Sequence, residues 1–79
     1  MPNVVIGIRR NVEFNEFRVT QTIDGVTEEK NTFFTDDKED AVGTAIVEAE
    51  RWRARGDSVV SFTKTAQTMI AKLEPGFQL

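Results

Sequence analysis

The chain has 79 residues, with 13 acidic against 10 basic side chains, a formal net charge of −3, and neither cysteine nor histidine. That length holds one domain, near the size below which a single core stabilises only marginally. The composition excludes disulfides, thiolate and imidazole metal sites, and histidine-based catalytic triads.

No apolar run approaches a membrane span, and the N-terminus lacks the basic-then-apolar pattern of an export signal. A cytoplasmic protein is expected. Charge is unevenly spread. From Asp24 through Glu50 acids dominate, opposed only by Lys30 and Lys38, while the arginines gather at Arg9, Arg10 and Arg18 and again at Arg51, Arg53 and Arg55.

Asn3 to Ile8 (NVVIGI) is apolar on both sides of its alternation, with Val4, Ile6 and Ile8 against Val5 and Gly7, as a central strand requires. Arg9 and Arg10 end it. Asn11 to Asn15 is a connection whose Val12 and Phe14 are too apolar for a wholly free loop. Glu16 to Ile23 then alternates, with Phe17, Val19 and Ile23 on one side and Glu16, Arg18, Thr20 and Thr22 on the other. Asp24-Gly25 between Ile23 and Val26 is a two-residue type I′ hairpin turn. Extended without interruption, that register sets Gln21 opposite Glu28, Val19 opposite Lys30 and Phe17 opposite Thr32. Phe34 then falls on the core side with Val26, Phe33 falls on the other, and Lys30 guards an edge strand.

Thr35 to Gly56 reads as one amphipathic helix. Asp36 is the expected N-cap, with Glu39 as its capping-box partner, and Asp37 and Asp40 complete an acidic first turn. Arg51, Arg53 and Arg55 suit the negative end of the helix dipole, and Gly56 is the stop. Ala41, Val42, Ala45, Ile46, Ala49 and Trp52 fall within an arc of about 140°. Val59 to Lys64 (VVSFTK) is a fourth strand, with Val60 and Phe62 on one face. Thr65 to Glu74 carries Ala66, Met69, Ile70 and Leu73 at helical spacing, with Thr65 as cap and Pro75-Gly76 as stop.

The expected fold is α+β, a single small domain of order β-β-β-α-β-α. Its four-stranded, mostly antiparallel sheet carries one long helix on one face, followed by a short C-terminal helix. The fourth strand is expected beside and parallel to the first, giving the order fourth, first, second, third.

No catalytic residue, cofactor site or metal site is predicted. Ser58 and Ser61 lie outside any nucleophile elbow, and Asp36, Asp37, Glu39 and Asp40 lack the spacing and glycine of a calcium loop. The chain therefore reads as a non-enzyme that binds another protein, with a homodimer, through sheet edges or the Gly43 and Val47 stripe, as a dependent expectation. Candidate contact residues are Glu28, Glu29, Asp36, Asp37, Glu39 and Asp40, together with Gly43 and Val47 of a second, small-residue stripe that runs on to Glu50 and Ala54. Phe33 and Phe14 are further aromatic candidates. The alternative is a nucleic-acid accessory protein using the arginine clusters, disfavoured by the overall acidity and by Trp52 lying on the apolar helix face.

The combination FRVTQTIDGVTEE…FFTDDKEDAVGTA, a hairpin leading straight into an acid-capped, alanine-rich helix, resembles small phage and prophage orphan proteins. Anti-CRISPR-type inhibitors are among these. The resemblance spans residues 14 to 55 and lies in architecture. It implies a host protein as partner, met by carboxylates where that protein expects phosphates, with Glu28, Glu29, Asp36, Asp37, Glu39 and Asp40 as the carriers. The arginine-rich helix end departs from a uniformly acidic surface.

Overall fold

The computed structural model describes all residues from Met1 to Leu79. Strands β1 (Asn3–Asn11), β2 (Glu16–Ile23), β3 (Val26–Thr27), β4 (Phe33–Thr35) and β5 (Val59–Phe62) form one sheet, with helices α1 (Lys38–Arg55) and α2 (Lys64–Leu73). The sheet runs β3-β2-β1-β5, and β4 also pairs with β2. β1 is antiparallel to β2 and parallel to β5, so the most apolar strand lies inside, with the strand order expected from the sequence. No helix is long and apolar enough to cross a membrane.

Both helices lie on one face of the sheet. Val4, Ile6 and Ile8 of β1, Phe17 and Val19 of β2 and Phe62 of β5 meet Ala41, Val42, Ala45 and Ala49 of α1 and Ala66 and Ile70 of α2 in one cluster. The alanines let α1 approach the strands closely, while Ile46, Trp52, Met69 and Leu73 close its margins. The molecule measures only 17 Å along its shortest axis, enough for one sheet and one helical layer. The opposite sheet face is bare, and it presents Val5, Arg9, Arg18, Thr20, Thr22, Phe34 and Val59. Gly7 lies there too. A Cβ on it would come within 2.8 Å of the Thr20 hydroxyl and 3.1 Å of the Thr63 methyl, so a side chain there would have to displace both.

The Asp24-Gly25 turn is type I′ in character, with φ of 50° and 85° at its two residues. It is pinned to β1 by the Asn3 N–H donating to Asp24 Oδ1 at 2.9 Å. Ile23 pairs with Val26 as expected, but the third strand does not continue. It breaks into β3 and β4 around a 3₁₀ turn at Glu29–Asn31. The sheet therefore has five strands where four were expected. Val19 pairs with Phe33 where the unbroken register sets Lys30, a shift of three residues. The odd shift inverts the alternation, so Phe33 shares the face of Val19 and Phe34 the face of Arg18. The assignment of Phe34 to the core side is thereby corrected. The unbroken register would have placed Glu28, Lys30 and Thr32 over the core; the turn carries them clear and sets Phe33 beside Val19 and Thr35 beside Phe17.

Other boundaries also move. β1 runs through Arg9 and Arg10 to Asn11, because both arginines pair across to β2. β5 ends at Phe62, and Thr63 rather than Thr65 caps α2, its hydroxyl accepting the Ala66 N–H at 3.3 Å. The α1 cap is Asp37 rather than Asp36. Gly56 does end α1, in the left-handed region at φ 75°.

Candidate functional site

Where β1 turns into β2, the chain gathers chemistry that the core does not consume. Asn11 pairs with Glu16, and Val12 to Asn15 close the hairpin, with Asn15 at φ 48° and its N–H donating to the Val12 carbonyl at 3.3 Å. Val12 is 77% and Phe14 68% exposed. The expectation that these residues are too apolar for a free loop gives way here. The core layer ends at Phe17, the tight loop projects past it, and both side chains stand in solvent.

The same hairpin brings the first arginine cluster together. Arg9 is directly opposite Arg18 on the bare face, and Arg10 is opposite Phe17 on the helical face, its guanidinium 5.8 Å from the ring centroid. Like charges directly opposed across two strands are unfavourable. Compensation is thin. Arg18 Nε lies 3.5 Å from Glu16 Oε1 yet is buried without a hydrogen bond, and its guanidinium sits 5.3 Å from the Phe34 ring centroid. Arg9 and Arg10 form no ion pair. A hollow of about 220 Å³ opens among Arg9, Arg10, Asn11, Val12 and Arg18. A second, of about 190 Å³, shares Arg9 and Arg18 and reaches Glu29 and Phe34.

The acidic start of α1 lies at this end too, since Thr35 pairs with Phe17, which pairs with Arg10. The side chain of Asp37 is committed to the helix: Oδ1 accepts the N–H groups of Glu39 at 2.9 Å and Asp40 at 3.4 Å. Asp37→Ala should therefore cost about 1 kcal/mol, whereas Asp37→Asn keeps an acceptor and should be close to neutral. Urea denaturation separates the two, and equal losses would deny the capping role.

Asp36, Glu39 and Asp40 are exposed. Nowhere do three acidic side chains converge as a cation would need. Glu28 is spent on Lys30 at 3.2 Å, and Glu29 borders the arginine hollow rather than the α1 acids. Gly43 and Val47 line an open groove with Asp40, Thr44, Glu48 and Arg51. Val47 is 46% exposed. The C-terminal segment turns elsewhere, packing Phe77 edge-on against Phe62.

The second arginine cluster is engaged within the fold. Arg51 pairs with Glu48 at 3.1 Å. Arg53 lies over the rings of both Phe62 and Phe77 and donates to the Gln78 carbonyl at 2.9 Å. Arg55 stacks 4.6 Å from the Trp52 centroid and pairs with Asp57 at 3.5 Å. Trp52 donates its indole N–H to Gln21 Oε1 at 2.8 Å, half-buried between helix and sheet.

Sequence reasoning named Arg9, Arg10 and Arg18 as a cluster but missed the face-to-face pair. The signal lay in the loop length, which fixes which residues of the two strands meet. No family model matches the chain, and neither the curated proteins nor the solved structures provide a match.

Proposed function

We propose that the protein is a non-enzymatic protein-binding module that acts in the cytoplasm by covering a surface of its partner. The observation that carries this reading is the pair Val12 and Phe14, standing in solvent at the tip of the β1-β2 hairpin. Arg9 and Arg18 lie beside it on the bare face, and Arg10 and the acidic start of α1 on the helical face. Exposed apolar anchors ringed by charges of both signs match the anatomy of a protein interface. A nucleic-acid surface needs one sign of charge. The nucleic-acid reading is weakened further because Arg51, Arg53 and Arg55 already have partners within the chain. Occlusion of a host protein by a phage-encoded inhibitor is the setting that the resemblance implies. A second copy would sit on the open Gly43 and Val47 groove, and sedimentation at micromolar concentration showing only monomer removes that part.

Affinity capture from the native host lysate tests the reading. Substituting Val12→Ser and Phe14→Ser together should reduce recovery of a specific partner at least roughly tenfold, the loss of a modest hot spot. The urea midpoint should not move, because both side chains are exposed. Capture indifferent to the pair would remove the loop from the interface. In parallel, Asp36, Asp37 and Asp40 are changed to asparagine and Glu39 to glutamine, which spares the cap; unchanged capture there would dismiss the acidic run and leave the module reading intact.

A further inference from the structure

We propose that the bare sheet face beside the hairpin loop is a docking surface for an acidic, extended segment of the partner protein. Carboxylates of that segment would be held between Arg9 and Arg18, and an apolar residue would lie on Phe34. The inference rests on the protein-binding reading and names the chemistry of the partner.

Charge complementarity carries it. Arg9 and Arg18 face each other across β1 and β2 with no carboxylate on Arg9 and only Glu16, at 3.5 Å, on Arg18. The Nε of Arg18 faces Glu16 without a hydrogen bond, and the side chain as a whole is 42% exposed, so its terminal guanidinium nitrogens are the donors left open to a carboxylate. Arg9 and Arg18 line two hollows, one shared with Arg10, Asn11 and Val12 at the loop end and one shared with Glu29 and Phe34. Guanidinium groups take carboxylates in paired hydrogen bonds, and a carboxylate set between two of them relieves their mutual repulsion. Phe34, 42% exposed with Arg18 against its ring, offers an apolar platform next to the charge. A strand-like segment suits a bare face whose own side chains repeat every second residue.

Single-stranded nucleic acid is the rival occupant, and two observations disfavour it. The face carries one exposed aromatic ring rather than a series on which bases could stack. Glu29 also borders the arginine hollow in a chain of net charge −3, which repels a phosphate polymer more than a short peptide bearing a few carboxylates.

The test uses the intact protein and two fluorescent probes in low salt, a short extended peptide carrying a few glutamates and one leucine, and an oligothymidylate of matching length. The peptide should bind, and Arg9→Gln and Arg18→Gln should each weaken it by roughly fivefold, with Arg51→Gln, an equal change of net charge on α1, leaving it unaltered. Arg9→Gln should also be at least as stable as the parent, because it removes a like-charge pair. That separates lost binding from lost folding. The proposal is overturned by tighter binding of the oligonucleotide, by equal weakening from Arg51→Gln, or by peptide binding that survives both sheet-face substitutions. Should the peptide fail while the Val12 and Phe14 pair still governs partner capture, the acidic segment falls and the binding module stands. Arginine-dependent peptide binding alongside capture indifferent to the loop would instead keep the sheet-face site and remove the hairpin tip from the interface.

Discussion

Ile6→Ala should bring the domain close to unfolding at room temperature. Ile6 is fully buried in the central strand, paired with Gln21 of β2 on one side and Phe62 of β5 on the other, and both helices pack on β1. Deleting three methyl or methylene groups at such a site removes their transfer energy and leaves a cavity that neighbours on four elements cannot collapse into, a loss of about 2–5 kcal/mol. Domains of this size hold on the order of 4–12 kcal/mol in total, so the substitution consumes a large share. Urea denaturation should show a much lower midpoint with an unchanged slope. Val5→Ala is the internal control. Its side chain is on the bare face one residue away, and its loss should stay under about 1 kcal/mol. Equal losses from the two would mean that β1 does not turn its even-numbered residues to the helices.

How far the sequence could anticipate this depended on whether a feature was local. The α1 face, the Gly56 stop, the Asp24-Gly25 turn and the central position of β1 each follow from a few neighbouring residues, and all stand in the structure. The break between β3 and β4 does not. Thr27 to Thr32 contains no apolar residue to mark a register, and of Phe33 and Phe34 either could face inward. The choice falls to a long-range competition between Lys30 and Phe33 for the place beside Val19. Cap positions failed for a similar reason. Asp36 and Asp37 are equally good acceptors, and the place where β4 must stop pairing with Phe17 decides between them. The acids of the candidate surface were legible as residues, yet their sorting was not. Asp37 capping α1, Glu28 on Lys30 and Glu29 beside Arg9 and Arg18 all depend on tertiary placement.

Trp52 carries the second large effect, because it answers a polar residue on the apolar face. Gln21 pairs with Ile6, so its side chain is on the helical side of β2 among Phe17, Val19 and Ile23. There its amide oxygen is partly buried, and the indole N–H of Trp52 donates to it at 2.8 Å. Trp52→Ala should cost about 2–4 kcal/mol, somewhat below a fully buried tryptophan, by losing both the apolar area that joins α1 to the sheet and the hydrogen bond. Trp52→Phe keeps most of the area and should cost about 1 kcal/mol through the unpaired amide. Adding Gln21→Leu to Trp52→Phe should recover most of that, since two apolar groups leave nothing unsatisfied, whereas Gln21→Leu alone strands the indole. Urea denaturation followed by circular dichroism gives all four midpoints, and strictly additive losses would show that the two side chains do not depend on each other. Arg55 stacks on this ring from the solvent side. Its stacking is thus an internal contact of the fold, and Trp52→Phe should leave partner capture at the hairpin end unchanged.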